Sequence, residues 1–206
     1  ANSHSVAELV FAHLLALARF ITPATISLRE GRWEKKTFGN GIELAGKTIG
    51  IIGFGRIGKI VAHLAIAWGM HVLVYDVATI NTEPTVKVVD FETLVKESDF
   101  ITLHTPKTDQ PIINEKEIAM MKRGVYIINC ARGNAIDEKA LLAGLNSGQV
   151  GGAGLDVFAA EPPQNMELLH HARVSSTPHI GASTLEAQER VGAEIAHRIV
   201  EYIGTL

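Results

Sequence analysis

From Ser5 to Ile21 the apolar residues Val6, Leu9, Val10, Leu14, Leu17 and Ile21 recur at steps of three and four, the period of a helix with one face against a core. Ser5 and Glu8 stand at capping-box spacing at its start. From Thr48 the rhythm changes, and short β-branched or aliphatic runs alternate with helical stretches. Runs at 48–52, 72–75, 100–103, 125–129, 152–156 and 174–176 read as strands. Most are apolar at successive positions, so both faces must be covered, as in a parallel sheet flanked by helices. Helices are expected at 57–68, 91–96, 114–121 and 138–147, with a long last one at 185–203. The pattern predicts an α/β fold, a doubly wound, mostly parallel sheet with a long N-terminal and a long C-terminal helix.

Residues 31–47 break this rhythm: they are polar, contain Gly31, Gly39, Gly41 and Gly46, and read as a loop. Trp33 and Phe38 are out of place there and must dock, either on this domain or on a second subunit. Composition alters the picture little. Of 206 residues 47% are hydrophobic and 20% charged, which excludes disordered, collagenous and coiled-coil chains. A net charge of −3 without a basic block offers nothing to nucleic acid or an anionic membrane surface. The apolar stretch 9–18 is about half of a membrane span and contains His13. One cysteine, Cys130, and nine histidines without metal-ligand spacing indicate no disulfide, no metal and a reducing cytosol. A first residue Ala1 rather than Met reads as a fragment or a processed product.

Ligands of such sheets bind outside the carboxyl ends of the strands, so the residues that follow each strand are the candidates. Gly53-Phe54-Gly55-Arg56-Ile57-Gly58 follows the first strand and opens a helix. Gly53 suits a tight turn, Gly55 admits a pyrophosphate to the backbone, and Gly58 lets helix pack on strand. The second strand ends in Asp76, 18 positions past Gly58, where a carboxylate accepts both ribose hydroxyls and repels a 2′-phosphate. With no Arg or Lys in residues 77–80, the cofactor expected is NAD. Arg132, after Asn129-Cys130-Ala131, is placed to clamp a carboxylate with two hydrogen bonds. His179, between the last strand and the last helix, is a candidate acid or base. Glu161, ahead of Pro162 and Pro163, is a candidate partner that fixes its tautomer. His170 and His171 read as a surface turn. His4, His13, His63, His71 and His197 read as structural, Cys130 as a small buried residue, and Met120 and Met121 as core filler.

Assembled, these motifs resemble the cofactor-binding domain of the D-isomer-specific 2-hydroxyacid dehydrogenases, nearly end to end. The likeness rests on Asn2-Ser3-x-Ser5-Val6-Ala7-Glu8, Gly31-x-Trp33, Leu44-x-Gly46-Lys47-Thr48, the glycine motif, His104-Thr105-Pro106, Asn129-Cys130-Ala131-Arg132-Gly133, Leu155-Asp156-Val157-Phe158, Glu161-Pro162-Pro163 and Pro178-His179-Ile180-Gly181-Ala182-Ser183-Thr184. It implies a Rossmann-type NAD-binding domain, with 1–47 a dimerisation helix and loop and 48–206 the core. It implies catalytic roles for Arg132, Glu161 and His179. Arg56 and Ile57 would meet the pyrophosphate, Asp76 the ribose, and Thr105 the cofactor's side. Cys130, Ala131, Asp156 and the backbone of His179, Ile180, Gly181 and Ala182 would line the nicotinamide end.

The ending after His179 points within the family to the branch that oxidises 3-phosphoglycerate, the first step of serine biosynthesis. The same family holds dehydrogenases of other small 2-hydroxy acids and corepressors that sense NAD. A homodimer through the first helix and the Trp33 loop is implied. The family's separate substrate domain has no counterpart in this sequence, so the expectation is a chain that binds NAD with little turnover.

Overall fold

The computed structural model describes residues 2–204. Two helices, Ser3–Ala18 (α1) and Ile21–Arg29 (α2), precede the sheet. Then come Thr48–Ile52 (β1), Arg56–Ala67 (α3), His71–Tyr75 (β2), Val86–Val88 (β3), Phe91–Glu97 (α4), Phe100–Leu103 (β4), Glu115–Met120 (α5) and Val125–Asn129 (β5). Glu138–Ser147 (α6), Val150–Leu155 (β6), Met166–His170 (α7), Val174–Ser176 (β7) and Leu185–Gly204 (α8) complete the chain. The seven strands lie in the order β3-β2-β1-β4-β5-β6-β7, every neighbouring pair parallel. This is the doubly wound sheet that the hydrophobic pattern predicts, with its order reversing between β1 and β4.

Alternate strand residues feed two cores. Ile49 and Ile51 of β1, Val72 and Val74 of β2 and Ile128 of β5 pack with α1 and α3 on one face. Ile52, Leu73, Ile101, Leu103 and Ile127 pack with α4, α5 and α6 on the other. Covering both faces of each strand is what makes its sequence apolar throughout.

The first helical pattern is corrected in two ways. It divides at Phe20, which takes a left-handed φ of 55°, and the two helices bend by 63° at the break. Val6, Val10, Leu14 and Leu17 are buried in α1, whereas Ile21 starts a new and exposed helix. Ser5 does not cap: it lies inside α1 and its hydroxyl donates to the Asn2 carbonyl at 2.8 Å. Three elements go beyond the predicted set, namely α2, β3 and α7. The last two, of three and five residues, are too short to express a period.

Helix α1 lies on β5, β6 and β7 and against α3. Its approach depends on the glycines of β6: a Cβ on Gly154 would stand 2.7 Å from the Cβ of His13. Phe38 docks within the domain, its ring 6.2 Å from that of Phe20, while Trp33 stays 79% exposed. Among the described side chains of α8 only Ala187 is buried, and Val191, Ile195 and Ile199 face outward. Among the described residues no single helix is long and apolar enough to cross a membrane.

The close approach at Gly154 is testable. Gly154→Ala is expected to cost about 1–3 kcal/mol in urea unfolding, the usual cost of overpacking. Gly192→Ala, where nothing lies within 4 Å of the added methyl, should be neutral or stabilising. Equal stability of the two variants would mean that α1 is not held against β6 as described.

Candidate active site

The carboxyl ends of β1, β2, β4, β5, β6 and β7 line one edge of the sheet, and their loops form two adjoining hollows. The first, of about 470 Å³, is lined by Gly53, Gly55, Tyr75, Asp76, His104, Thr105 and neighbouring residues. Gly53 turns the chain out of β1 with φ +94°, and a Cβ there would meet the His104 carbonyl oxygen at 2.7 Å. A Cβ at Gly58 would overlap the carbonyl oxygen of Gly53, so α3 starts directly against the turn. At Gly55 nothing lies within 4 Å of where a Cβ would be, which leaves the backbone open to a ligand. The Asp76 carboxylate accepts the Phe54 N–H at 2.6 Å and the Ala78 N–H at 2.9 Å. It therefore braces the glycine turn from the end of β2 while keeping acceptor capacity toward the hollow.

The second hollow, of about 270 Å³, is lined by Ile57, His104, Thr105, Cys130, Ala131, Arg132, Asp156, His179, Gly181 and Ala182, with Asn2 and Val6 of the α1 end. His104 and Thr105 border both hollows, so the two adjoin along the loop after β4. Two buried atoms in this border, His104 Nδ1 and Thr105 Oγ1, have no hydrogen-bond partner. Buried polar atoms without partners are costly, and both belong to residues that line these hollows.

Two buried polar side chains shape the far wall. Asn129, at the end of β5, accepts the Ala131 N–H at 3.0 Å and donates to the Arg132 carbonyl at 2.9 Å, closing the loop that presents Arg132. Asp156, only 1% exposed, accepts the Thr177 hydroxyl at 2.6 Å and the N–H groups of Ile180 and Gly181, each at 2.8 Å. Pulled in from both sides, the intervening His179 takes a φ of 56°, a conformation uncommon outside glycine. Its Nδ1 lies 2.8 Å from Glu161 Oε2. Glu161 is itself held by the Phe158 N–H at 3.2 Å. With Nδ1–H donating to the carboxylate, Nε2 is the ring nitrogen left for other chemistry.

Arg132 and His179 thus border one hollow, together with Ile57, Thr105, Cys130, Ala131, Asp156, Gly181 and Ala182, while Gly53, Gly55 and Asp76 border the adjoining one. Four candidates lie outside both walls. Gly58 is a packing position, Arg56 is exposed at the start of α3, and Ile180 contributes its N–H to Asp156. Glu161 stands behind His179, where it borders an apolar hollow with Phe158, Pro162 and Pro163. His13, read from sequence as structural, bonds Ser175 at 2.9 Å and Thr177 at 3.0 Å. Sequence reasoning also gave no role to the Asn129 side chain. A buried polar residue inside an apolar strand run, Asn129 after Ile127 and Ile128, is the signal that could have found it.

Residues 11–181 match the family described as D-isomer specific 2-hydroxyacid dehydrogenase, NAD binding domain. The chain is 53% identical over 209 residues to a hydroxypyruvate reductase of Thermotoga maritima, covering 99% of this chain and 68% of that protein. It is 48% identical over 205 residues to a D-3-phosphoglycerate dehydrogenase of Methanocaldococcus jannaschii, covering 97% of this chain but only 39% of that protein. Among solved structures, a D-lactate dehydrogenase of Aquifex aeolicus complexed with NAD and lactic acid superposes with a TM-score of 0.91 at 33% identity, over 98% of this chain and 67% of the other.

Burial perturbs several groups at this edge. Loss of solvent pushes His104 and His13 below the ordinary histidine value of 6.5, and pushes the Cys130 thiol up, with Asp156 adding to the latter. The hydrogen bond from His179 holds Glu161 below the ordinary carboxylate value. The signs agree. Histidines that bind a proton less readily folded than unfolded lose stability as pH falls below about 6.5, and a depressed Glu161 loses its contribution at still lower pH. The urea midpoint should therefore fall between pH 7.5 and 5, and His104→Gln should flatten that slope. A midpoint independent of pH in this window would contradict neutral burial of these rings.

Proposed function

The chain belongs to the D-isomer specific 2-hydroxyacid dehydrogenase family, as its NAD-binding domain, and on that premise we propose that it serves hydride transfer between NAD and a small D-2-hydroxy acid. The carrying observation is the meeting of Arg132 and His179 at one hollow, with His179 Nδ1 tied to Glu161. The two hollows fit the cofactor. Gly55 is open, two wall atoms lack partners, and Asp76 has acceptor capacity left for ribose hydroxyls. A 2′-phosphate beside that carboxylate would meet like charge, which favours NAD over NADP.

NAD, when bound, accepts or returns the hydrogen of the substrate's C2 together with its electron pair. The protein's own residues do the rest. One terminal nitrogen of Arg132 donates to the Ala131 carbonyl at 2.7 Å, which orients the guanidinium and leaves its other donors for a substrate carboxylate. Nε2 of His179 takes the hydroxyl proton during oxidation and gives it back during reduction. Glu161 holds the ring in the tautomer that does this and stabilises it once protonated. A second wall is needed to exclude water from the substrate, so we expect these 206 residues alone to bind NAD and turn over poorly.

For the substrate we propose 3-phosphoglycerate, whose oxidation to 3-phosphohydroxypyruvate opens serine biosynthesis, from the motif that follows His179. The 53% identity to a hydroxypyruvate reductase favours a second reading, the same carbon skeleton without its phosphate. We propose a cytoplasmic location, from the single cysteine, and a homodimer through the first helix and the Trp33 loop, from the 79% exposure of Trp33.

Calorimetric titration of the chain should give NAD at least about tenfold tighter binding than NADP, a difference lost in Asp76→Ala. Equal affinities in the unmodified chain would contradict the ribose assignment. In a polypeptide that also carries a substrate domain, His179→Ala should lower kcat about 10²–10⁴-fold. Unchanged turnover would remove the histidine from the chemistry. In the same protein, kcat/KM for 3-phosphohydroxypyruvate against hydroxypyruvate decides between the two substrates.

A further inference from the structure

His13 is 2% exposed, sits on the buried side of α1, and has no place in the chemistry proposed above. Its two ring nitrogens nevertheless end on the strand that leads to His179. Nδ1 lies 2.9 Å from the Ser175 hydroxyl and Nε2 lies 3.0 Å from the Thr177 hydroxyl. The direction of each bond follows by elimination. Thr177 gives its single hydroxyl hydrogen to Asp156 at 2.6 Å, so toward His13 it can only accept. Nε2 therefore carries the proton, and in the neutral ring Nδ1 accepts from Ser175. Burial favours that neutral ring. The result is a directed chain from Ser175 through His13 and Thr177 to the Asp156 carboxylate, every member satisfied.

We infer that His13 is a positioning residue for His179, acting through Thr177 and Asp156. By donating to Thr177 it fixes the hydroxyl rotamer that serves Asp156. Asp156 in turn holds the Ile180 and Gly181 N–H groups, which together with the Thr177 hydroxyl bracket the left-handed turn at His179. The close packing of α1 on Gly154 sets the reach of the imidazole to β7. Among the described residues, no other side chain of α1 bonds β7 in this way. The inference takes from the proposed function only the role of His179 as acid and base.

The test separates the two. Amide hydrogen exchange by NMR on the 206-residue chain reads the loop without any turnover. In His13→Leu, exchange at Ile180 and Gly181 should quicken about five- to tenfold, the loss of roughly one hydrogen bond, while Ile51 and Thr102 in the central strands keep their protection. Thr177→Val, which breaks the chain from its other end, should do the same. His13→Gln, which keeps an N–H near the Nε2 position, should restore slow exchange. Unaltered exchange at Ile180 and Gly181 in both His13→Leu and Thr177→Val overturns the inference. In the protein with its substrate domain, His13→Leu should lower kcat and leave KM for NAD in place. A loosened loop with unchanged kcat would keep the positioning chain and instead sink the reading of His179 as the base.

Discussion

A carboxylate taken out of water must be given hydrogen-bond donors, and Asp156, at the end of β6, is almost wholly enclosed. Its donors come from the loop that follows the neighbouring strand: one hydroxyl and two backbone N–H groups. That requirement bends the loop back over the sheet edge. His179, caught between donors on either side, takes a backbone conformation that a free chain rarely visits, and its ring comes to rest against Glu161. The position of the imidazole is thus a consequence of satisfying a buried carboxylate on the neighbouring strand end, through donors on either side of His179.

The same device recurs along the edge. Asp76 accepts from Phe54 and so ties the glycine turn after β1 to the end of β2. Asn129 closes the loop after β5 and presents Arg132. In each case a short polar side chain at a strand's carboxyl end uses backbone groups of a ligand-facing loop, so the loop is held by the sheet. Such loops are pre-organised, which lowers the cost of ordering them when a ligand binds. Parallel strands make this possible by delivering all their carboxyl ends to one edge.

The central strands were legible because β1, β4 and β5 are buried on both faces, and that burial writes runs rich in Ile and other apolar residues into the sequence. Short elements at the margin were not: β3 and α7 are stabilised by neighbours rather than by a period of their own. The break at Phe20, where φ is 55°, leaves no mark in the hydrophobic period, which runs on to Ile21. At the site, Gly53, Asp76, Arg132 and His179 were legible because each follows a strand in a motif of fixed spacing. His13 was not, since its partners lie 162 and 164 residues away and only the fold brings them together. Glu161 could be named from its motif, but its place behind the ring rather than in the wall with Arg132 required coordinates.

The most direct measurement is a crystal structure of Asp156→Ala. With the buried carboxylate gone, the loop from Thr177 to Gly181 should relax, His179 should leave the left-handed region, and its Nδ1 should part from Glu161 Oε2. A loop that keeps its path, with the 2.8 Å contact intact, would show that something other than this charge sets the histidine's position.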